Sequence, residues 1–265
     1  MLSYLVDIVA EIQHRIRTAE RTFLFLDFDG TLAPIEADFA AVSLDPGIVQ
    51  VLAALSAQPS LVITIISGRA VDDLLRRVGL QSLLYAGNQG LEIRGRDLHF
   101  VEPLSEARRT RLERLANEIA ARLSPIAGAA VECKGLSASV HYRQAAESDY
   151  NRIQDSVKTA VSRDATMFRL IHGLKTIDIL PRTNWHKGAA ARWIINRFGG
   201  AQALTIYLGD DAADEEAFLF LPDAVNIKVG GAQPTRARYR LPHPAAVHEF
   251  LRWLATLWEP RTLPA

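Results

Sequence analysis

Several features that would mark other classes of protein are scarce in this chain of 265 residues. Thirty Lys and Arg side chains balance thirty Asp and Glu side chains, which leaves no excess of positive charge to bind a nucleic-acid backbone. The one cysteine, Cys133, cannot form an internal disulfide, and no His or Cys spacing typical of structural zinc occurs. We therefore expect a cytoplasmic protein that binds no nucleic acid.

Long apolar runs are also missing. The longest have about six or seven residues, whereas a membrane-spanning helix needs roughly 20, so we expect no contact with a membrane. The acidic residues Asp7 and Glu11 interrupt the opening segment, which argues against a signal peptide. Helical spacing of its apolar residues predicts an amphipathic helix packed on the body, with a partner-binding helix as the alternative. These residues are Leu2, Leu5, Ile8, Val9, Ile12 and Ile16.

Short apolar runs alternate with amphipathic segments along most of the chain. Runs rich in β-branched residues predict buried strands at 22–26, 61–66, 83–86, 204–208 and 224–229. Apolar residues three and four apart predict helices at 49–57, 70–78, 188–198, 214–221 and 245–257. This alternation is typical of an α/β fold with a doubly wound, Rossmann-like parallel sheet.

The stretch from residue 103 to residue 180 has a different pattern. Its elements are predicted, in order, as a helix (105–123), two strands (131–134 and 137–143), a helix (148–162) and two strands (167–171 and 175–180). The αββαββ order predicts a small antiparallel sheet backed by two helices. We interpret it as a cap domain inserted into a core domain that comprises residues 1–102 and 181–265.

Polar residues follow three of the predicted core strands, at Asp27–Thr31, Ser67–Arg69 and Asp210–Glu216. Because the carboxyl ends of parallel strands share one edge of a sheet, we expect these segments to meet. Carboxylates that crowd together need a cation among them, and an all-oxygen set suits Mg²⁺. With Lys187 at the start of a predicted helix and hydroxyl groups nearby, the pattern predicts a magnesium-dependent site for phosphoryl transfer.

Each motif alone also has a purely structural explanation. Asp29-Gly30 is typical of a turn, Ser67 could cap the helix that follows it, and Asp210-Asp211 could cap another. Their joint occurrence after core strands favours the functional interpretation.

In this order the motifs resemble those of the haloacid dehalogenase-like phosphohydrolase superfamily. The segment DFDGT at 27–31 corresponds to its first motif, Ser67 to its second, Lys187 to its third, and Gly209-Asp210-Asp211 with Asp214 to its fourth. Further segments resemble the trehalose-6-phosphate phosphatase family: DFDGTLAPI, SGR, Gly87–Glu92, Glu132–Ser137, His141–Arg143 and GDDAADEEAF. Gln89, Asp178 and Ala213 depart from that family, in which His, Glu and Thr are frequent at these positions.

The resemblance implies a mechanism and a set of catalytic residues. Asp27 would be the nucleophile that forms an aspartyl-phosphate, and Asp29 would act as acid and base, assisted by Lys187 and Ser67. Mg²⁺ would be held by Asp27, the backbone carbonyl of Asp29, and Asp210, while Asp211 and Asp214 orient these ligands. The expected phosphate-binding residues are Gly30, Thr31, Ser67, Gly68 and Lys187.

The resemblance assigns sugar binding mainly to the cap. Strand alternation places Glu132 and Lys134 on one face, and Ser137, Ser139, His141 and Arg143 on one face of the paired strand. Such a face suits sugar hydroxyls, although a solvated sheet face is the alternative. The expected substrate contacts are Arg69, Asn88, Glu132, Lys134, Ser137, His141, Arg143 and Asp178.

The implied enzyme hydrolyses trehalose 6-phosphate to trehalose and orthophosphate, the last step of trehalose synthesis. Alternatives within the same class are a phosphatase for sucrose phosphate or mannosyl-phosphoglycerate, and a phosphomutase. A sugar-phosphate-binding module without catalysis is the alternative from a different class. The sequence does not determine the oligomeric state, and a monomer is compatible with it.

Overall fold

The computed structural model describes residues 6–36, 41–173, 175–199, 202–231 and 233–258. Within these ranges the chain divides into two units, one from residues 1–99 and 185–265 and the other from Phe100–Asn184. The domain boundaries expected from the sequence, at 103 and 180, lie a few residues inside the limits of the second unit.

The described strands form two sheets. In chain order the strands are β1 (Arg21–Leu26), β2 (Leu61–Ile66), β3 (Leu84–Gly87), β4 (Glu92–Gly95), β5 (Leu98–Val101), β6 (Ala130–Cys133), β7 (Ala138–His141), β8 (Phe168–Gly173), β9 (Thr176–Pro181), β10 (Ala203–Gly209), β11 (Val225–Val229) and β12 (Tyr239–Leu241). The larger sheet has the order β12-β11-β10-β1-β2-β3-β4-β5, and the smaller has the order β6-β7-β9-β8.

The described α-helices follow the predicted amphipathic segments closely. They are α1 (Val6–Ile16), α2 (Pro46–Ser56), α3 (Val71–Val78), α4 (Pro103–Leu123), α5 (Tyr150–Ser162), α6 (Lys187–Phe198), α7 (Ala212–Phe220) and α8 (Pro244–Thr256). No helix in the described ranges has both the length and the apolar character needed to cross a membrane.

The larger sheet is covered on both faces because its central strands are apolar on both faces. On β1, Leu24 and Leu26 join a core that includes residues of α1, α2, α3 and α8. The alternate residue Phe25 points the other way and stacks on Tyr207 of β10, whose ring packs against Phe218 of α7. This arrangement confirms the predicted α/β fold with a doubly wound parallel core.

The sequence analysis did not predict three of the described strands, because they are short and mostly half-buried. Strands β4, β5 and β12 have three or four residues each, and β4 and β5 are only partly buried. A search for apolar runs finds strands that are buried on both faces, so it misses short, partly buried strands at or next to the edges of a sheet. Since β4 pairs antiparallel with β3, the larger sheet is mixed rather than entirely parallel.

The amino-terminal helix packs on the body, as predicted. Ile8, Val9 and Ile12 of α1 are buried in the main core, and Ile16 packs against it. Leu2 and Leu5, which extend the predicted apolar stripe, lie outside the described residues.

The second unit has its own core and its own antiparallel sheet. Strand β7 pairs with β6 and β9, and β9 pairs with β8, all antiparallel. Helices α4 and α5 contribute apolar side chains such as Ile119 and Val157, which pack with Val140 and Ile177 of the sheet. This confirms the predicted αββαββ order, with two helices and two hairpins.

Candidate active site

The polar segments that follow the central strands meet at one edge of the larger sheet. Strand β1 lies between β2 and β10, and all three run parallel. Leu26 is aligned with Leu208 on one side and with Ile65 on the other, so Asp27, Ser67 and Asp210 follow neighbouring strand ends. The parallel topology therefore brings together residues that are far apart in the sequence.

A buried ammonium group lies at the centre of this edge. Lys187 is the first residue of α6, and its side chain is only 1% exposed. Its Nζ donates to Asp27 Oδ1 at 2.8 Å and to Asp214 Oδ1 at 2.8 Å, and lies 3.6 Å from Asp211 Oδ1. Burial acts to lower the pKa of Lys187, but the charges of these carboxylates outweigh it and raise the pKa well above its usual value. The group is therefore an ammonium ion at neutral pH.

Asp214 is fully buried and is tied into the start of α7. Its Oδ2 accepts backbone N–H groups from Asp210 at 3.0 Å and Asp211 at 3.2 Å, while its Oδ1 also accepts the hydroxyl of Tyr207 at 3.0 Å. In the reciprocal bond, the Oδ1 of Asp211 accepts the backbone N–H of Asp214 at 2.9 Å. These bonds form a capping box at the start of α7. Asp211 of the Asp210-Asp211 pair therefore caps a helix, as the structural alternative in the sequence analysis expected.

The acidic side chains are close enough to share a metal ion. Asp27, Asp210 and Asp214 each offer a carboxylate oxygen, and these oxygens lie within 4.8 Å of one another. Burial raises the pKa of Asp27 and of Asp214 well above the usual value, and neighbouring carboxylates add to the effect. Burial and the charges of Asp214 and Asp211 raise the pKa of Asp210 to about 7. One ammonium group thus leaves excess negative charge that a divalent cation would balance, so the donor set fits such an ion.

Asp27 and Asp210 are better placed than Asp214 to ligate the ion. Each oxygen of Asp214 already accepts two hydrogen bonds from the protein, and its orienting role stays a prediction. We name Asp27, Asp210, Asp211, Asp214 and Lys187 together the acidic site. The expected backbone ligand at Asp29 stays a prediction.

The turn after β1 shapes the acidic site. Gly30 has a φ of +82°, and a Cβ at this position would lie 2.1 Å from Asp210 Oδ2, so only glycine fits. The buried Thr31 makes a long contact of 3.4 Å from its hydroxyl to Asp210 Oδ1. Thr31 therefore lies beside a candidate metal ligand.

Ser67, Gly68 and Asn88 lie in the segments after β2 and β3. Ser67 is buried, and its hydroxyl oxygen accepts the N–H of Arg69 at 3.2 Å. Helix α3 begins at Val71 with Ala70 as its N-cap, so Ser67 does not cap it. The backbone N–H of the fully buried Asn88 donates to the Arg69 carbonyl at 2.7 Å.

Arg69 lies against an acidic side chain of the protein, a pairing that the sequence analysis did not predict. Its Nε donates to Asp29 Oδ2 and its Nη2 to Asp29 Oδ1, both at 2.7 Å. Its Nη1 donates to Asp73 Oδ2 at 2.8 Å. The order of the strand ends predicts that Asp29 and Arg69 lie at the same edge of the sheet, but it does not predict that their side chains are in contact.

Other residues near the acidic site were also missed. Tyr207 and Asp73, described above, are two of them. A third is the buried Lys228 of β11, whose Nζ donates to the Asp210 carbonyl. The same Nζ lies 3.5 Å from Glu215 Oε1. A lysine within the apolar run VNIKV was the sequence signal for this residue, because a buried lysine needs a partner.

The predicted sugar-binding residues of the second unit form a connected set on its sheet. Glu132, Ser139 and Asp178 are aligned across β6, β7 and β9. His141 Nε2 lies 3.0 Å from Glu132 Oε2, the Lys134 ammonium donates to the Ser139 hydroxyl at 2.7 Å, and Ser139 donates to Asp178 Oδ1. We name these five residues the polar face.

Two further predicted residues lie next to the polar face in the chain. Ser137 is buried in the turn between β6 and β7, where its carbonyl accepts the N–H of Lys134 at 2.8 Å. Arg143 is partly exposed and lies just beyond the end of β7.

The acidic site has the chemistry of a group-transfer centre. It holds a carboxylate beside a permanent ammonium ion, at a place that fits a divalent cation, at the carboxyl end of a parallel sheet. A dianionic group such as a phosphate ester is the kind of ligand that these positive charges would stabilise.

Comparison with known proteins places the chain in a family. The family model described as trehalose-phosphatase matches residues 25–245. A trehalose-phosphate phosphatase of Mycobacterium tuberculosis is 36% identical over 246 residues, covering 89% of this chain, and the match spans only 62% of the length of that relative. The crystal structure of a trehalose-6-phosphate phosphatase related protein superposes with a TM-score of 0.79 at 21% identity, covering 89% of this chain and 97% of the other.

A second solved structure agrees in fold. The carboxy-terminal domain of the trehalose-6-phosphate phosphatase of C. albicans has a TM-score of 0.76 at 22% identity, over 93% of this chain and 96% of that domain. Since the family model covers most of the chain and includes every residue of the acidic site, this protein belongs to the trehalose-phosphatase family.

Proposed function

We propose that the chain hydrolyses trehalose 6-phosphate to trehalose and orthophosphate, the last step of trehalose synthesis. The observation that carries the proposal is the contact of Lys187 with Asp27, beside an Asp210 whose carboxylate lies close enough to share a cation. Membership of the trehalose-phosphatase family supports the choice of substrate.

In the first step Asp27 attacks the phosphorus atom. Its carboxylate oxygen forms a bond to phosphorus while the bond from phosphorus to the sugar oxygen breaks, which gives an aspartyl-phosphate. Lys187 holds the nucleophile in place and offers positive charge to the phosphoryl oxygens. Gly30, Thr31, Ser67 and Gly68 are proposed to surround the phosphate, and Ser67 supplies a hydroxyl group.

Asp29 handles the protons in both steps. It donates a proton to the sugar oxygen as the first bond breaks, and the trehalose leaves. It then takes a proton from the water whose oxygen attacks the aspartyl-phosphate, which releases orthophosphate and restores the Asp27 carboxylate.

Mg²⁺ is the proposed cofactor, held by Asp27, Asp210 and the backbone carbonyl of Asp29, with Asp211 and Asp214 orienting these ligands. When bound, the ion supplies positive charge to the phosphoryl group and neutralises the crowded carboxylates. Asp27 can then be ionised as a nucleophile must be, although burial raises its pKa in the metal-free protein.

The residues of the second unit are proposed to recognise the sugar, as a cap domain of the enzyme. Glu132, Lys134 and Asp178 offer charged groups to hydroxyls, and the contacts through Ser139 and His141 hold them in a defined arrangement. Ser137 and Arg143 complete the proposed set, together with Asn88 of the first unit. A cytoplasmic location is also proposed, on the ground of the single cysteine.

Release of orthophosphate from a panel of sugar phosphates, with Mg²⁺ and with EDTA, tests the proposal. We expect preference for trehalose 6-phosphate and no release under EDTA. Preference for sucrose phosphate or a monosaccharide phosphate would contradict the substrate but not the mechanism. Conversion to an isomeric sugar phosphate without release would instead indicate a mutase.

The Asp27→Asn variant separates an enzyme from a binding module. We expect it to lose about 10⁴-fold or more in kcat, since the amide is no nucleophile. Equal inactivity of the wild type and the variant, with sugar phosphate still bound, would indicate a module without catalysis.

A further inference from the structure

We propose that Arg69 is a positioning residue that orients the Asp29 carboxylate for proton transfer, and is not a direct contact of the substrate. The inference rests on the proposed function, because it assigns Arg69 a part in that reaction. It also replaces the role that the sequence analysis expected for this residue.

The geometry of the pair supports the inference. Nε and Nη2 of Arg69 donate to the two oxygens of Asp29 in parallel, at 2.7 Å each. Two parallel bonds fix the plane of a carboxylate, whereas one bond would let it rotate. Each carboxylate oxygen keeps a second lone pair, which the guanidinium does not occupy.

The guanidinium is itself held in place from the other side. Its third nitrogen, Nη1, donates to Asp73 of α3, and its carbon lies 5.5 Å from the centre of the Phe28 ring. Asp73 also accepts from Arg77 at 2.7 Å and from Arg76 at 3.2 Å. All three nitrogens of Arg69 therefore donate to carboxylates of the protein, and with only 9% of its side chain exposed the guanidinium offers a substrate little access to its remaining N–H groups.

Exposure distinguishes the two members of the pair. The side chain of Arg69 is 9% exposed, whereas that of Asp29 is 36% exposed. The backbone of Arg69 is also fixed, because its N–H donates to Ser67 and its carbonyl accepts from Asn88. The arginine is thus the rigid partner, and the carboxylate is the partner that a ligand can reach.

The first test is the separation of kcat from KM in Arg69→Met and Arg69→Lys. Loss of orientation should lower kcat for trehalose 6-phosphate by about 100-fold in the Met variant, with KM changed by less than about threefold. The Lys variant should recover part of this loss, since it keeps the charge but cannot make two parallel bonds. A large rise in KM with kcat retained, or no change in either constant, would overturn the inference.

A second substrate separates positioning from general damage. The p-nitrophenolate group leaves without a proton, so the Arg69 variants should retain a fast burst with p-nitrophenyl phosphate while their steady-state turnover slows. A burst that slows as much as the reaction of the sugar phosphate would contradict the inference. If the wild type hydrolyses no sugar phosphate at all, the proposed function fails, and this burst still decides the role of Arg69.

Asp73→Asn tests the inference without altering Arg69. We expect kcat to fall about three- to tenfold, because the guanidinium keeps Asp29 but loses its anchor. The matched control is Asp72→Asn, the neighbouring position on α3, whose side chain is 73% exposed and pairs with Arg94. Equal effects of the two variants, at equal melting temperatures, would overturn the inference.

Discussion

The acidic site lies just after two strand ends and at two helix starts, whereas the polar face lies on and beside the smaller sheet, and the two differ in burial. Asp27, Asp214 and Lys187 are almost completely buried, and each contacts at least one of the others. On the polar face, Glu132 is 32% exposed and His141 is 20% exposed. Under the proposed function, the site of chemistry keeps its central charges from water, whereas the face proposed to recognise the sugar leaves some of its side chains partly hydrated.

The same substitution in both regions should show this difference most strongly. Lys187→Met leaves the buried carboxylates of Asp27 and Asp214 with less positive charge, so we expect kcat to fall by about 10³-fold and the free energy of unfolding to fall by about 3 kcal/mol. Lys134→Met removes an ammonium group whose side chain is 8% exposed and which donates to Ser139, so it should mainly raise KM and cost about 1–2 kcal/mol, less than Lys187→Met. Steady-state kinetics and urea unfolding measure both effects. Equal destabilisation by the two variants would break the comparison.

Close packing around the acidic site gives the next largest effect. Gly30→Ala puts a methyl group against Asp210 at a positive φ, so we expect a loss of about 2 kcal/mol and most of the activity. Gly79→Ala is the control, because Gly79 also has a positive φ, of +73°, but no atom lies within 4 Å of its added Cβ. It should lose about 1 kcal/mol at most and keep its kcat. Equal kcat values for the two variants would contradict the close contact.

The effect of Mg²⁺ on stability should depend on pH. In the metal-free protein the pKa of Asp210 is raised to about 7, above its unfolded value, so the folded state holds the proton more tightly and loses stability as the pH rises toward 7. Since the ion requires the carboxylate, its binding should tighten over the same range. Thermal unfolding should therefore show a larger stabilisation by Mg²⁺ at pH 8 than at pH 6.

Asp210→Asn is the control for this pH dependence. It should abolish most of the stabilisation at both pH values, because the amide is a weaker ligand than a carboxylate. A shift of the melting temperature that is equal at the two pH values in the wild type would contradict the role of Asp210.

The smallest expected effect concerns the polar face. Asp178→Glu adds one methylene to a carboxylate that accepts from Ser139, so we expect a change in KM of less than about tenfold and an unchanged kcat. The matched reverse change, Glu132→Asp, should raise KM by a similar factor. A fall in kcat of either variant by more than the change in KM would show that this face takes part in the chemistry.

The sequence predicts the central strands and the acidic site well for one physical reason. Buried parallel strands require apolar residues on both faces, and their carboxyl ends must share an edge, so Asp27 and Asp210 were expected to meet. Rotamers and edge strands do not follow from such patterns. The pairing of Arg69 with Asp29 depends on α3 and Asp73, and the short strands β4 and β12 are mostly half-buried, so no apolar run marks them.

Asp214 serves two purposes that are usually independent. By accepting the backbone N–H groups of Asp210 and Asp211, it caps the start of α7, and by contacting Lys187 it contributes to the charge balance around Asp27. A change at this position would therefore alter local folding and reactivity at once. A redesign of helix ends that aims to stabilise this protein should therefore leave the start of α7 unchanged.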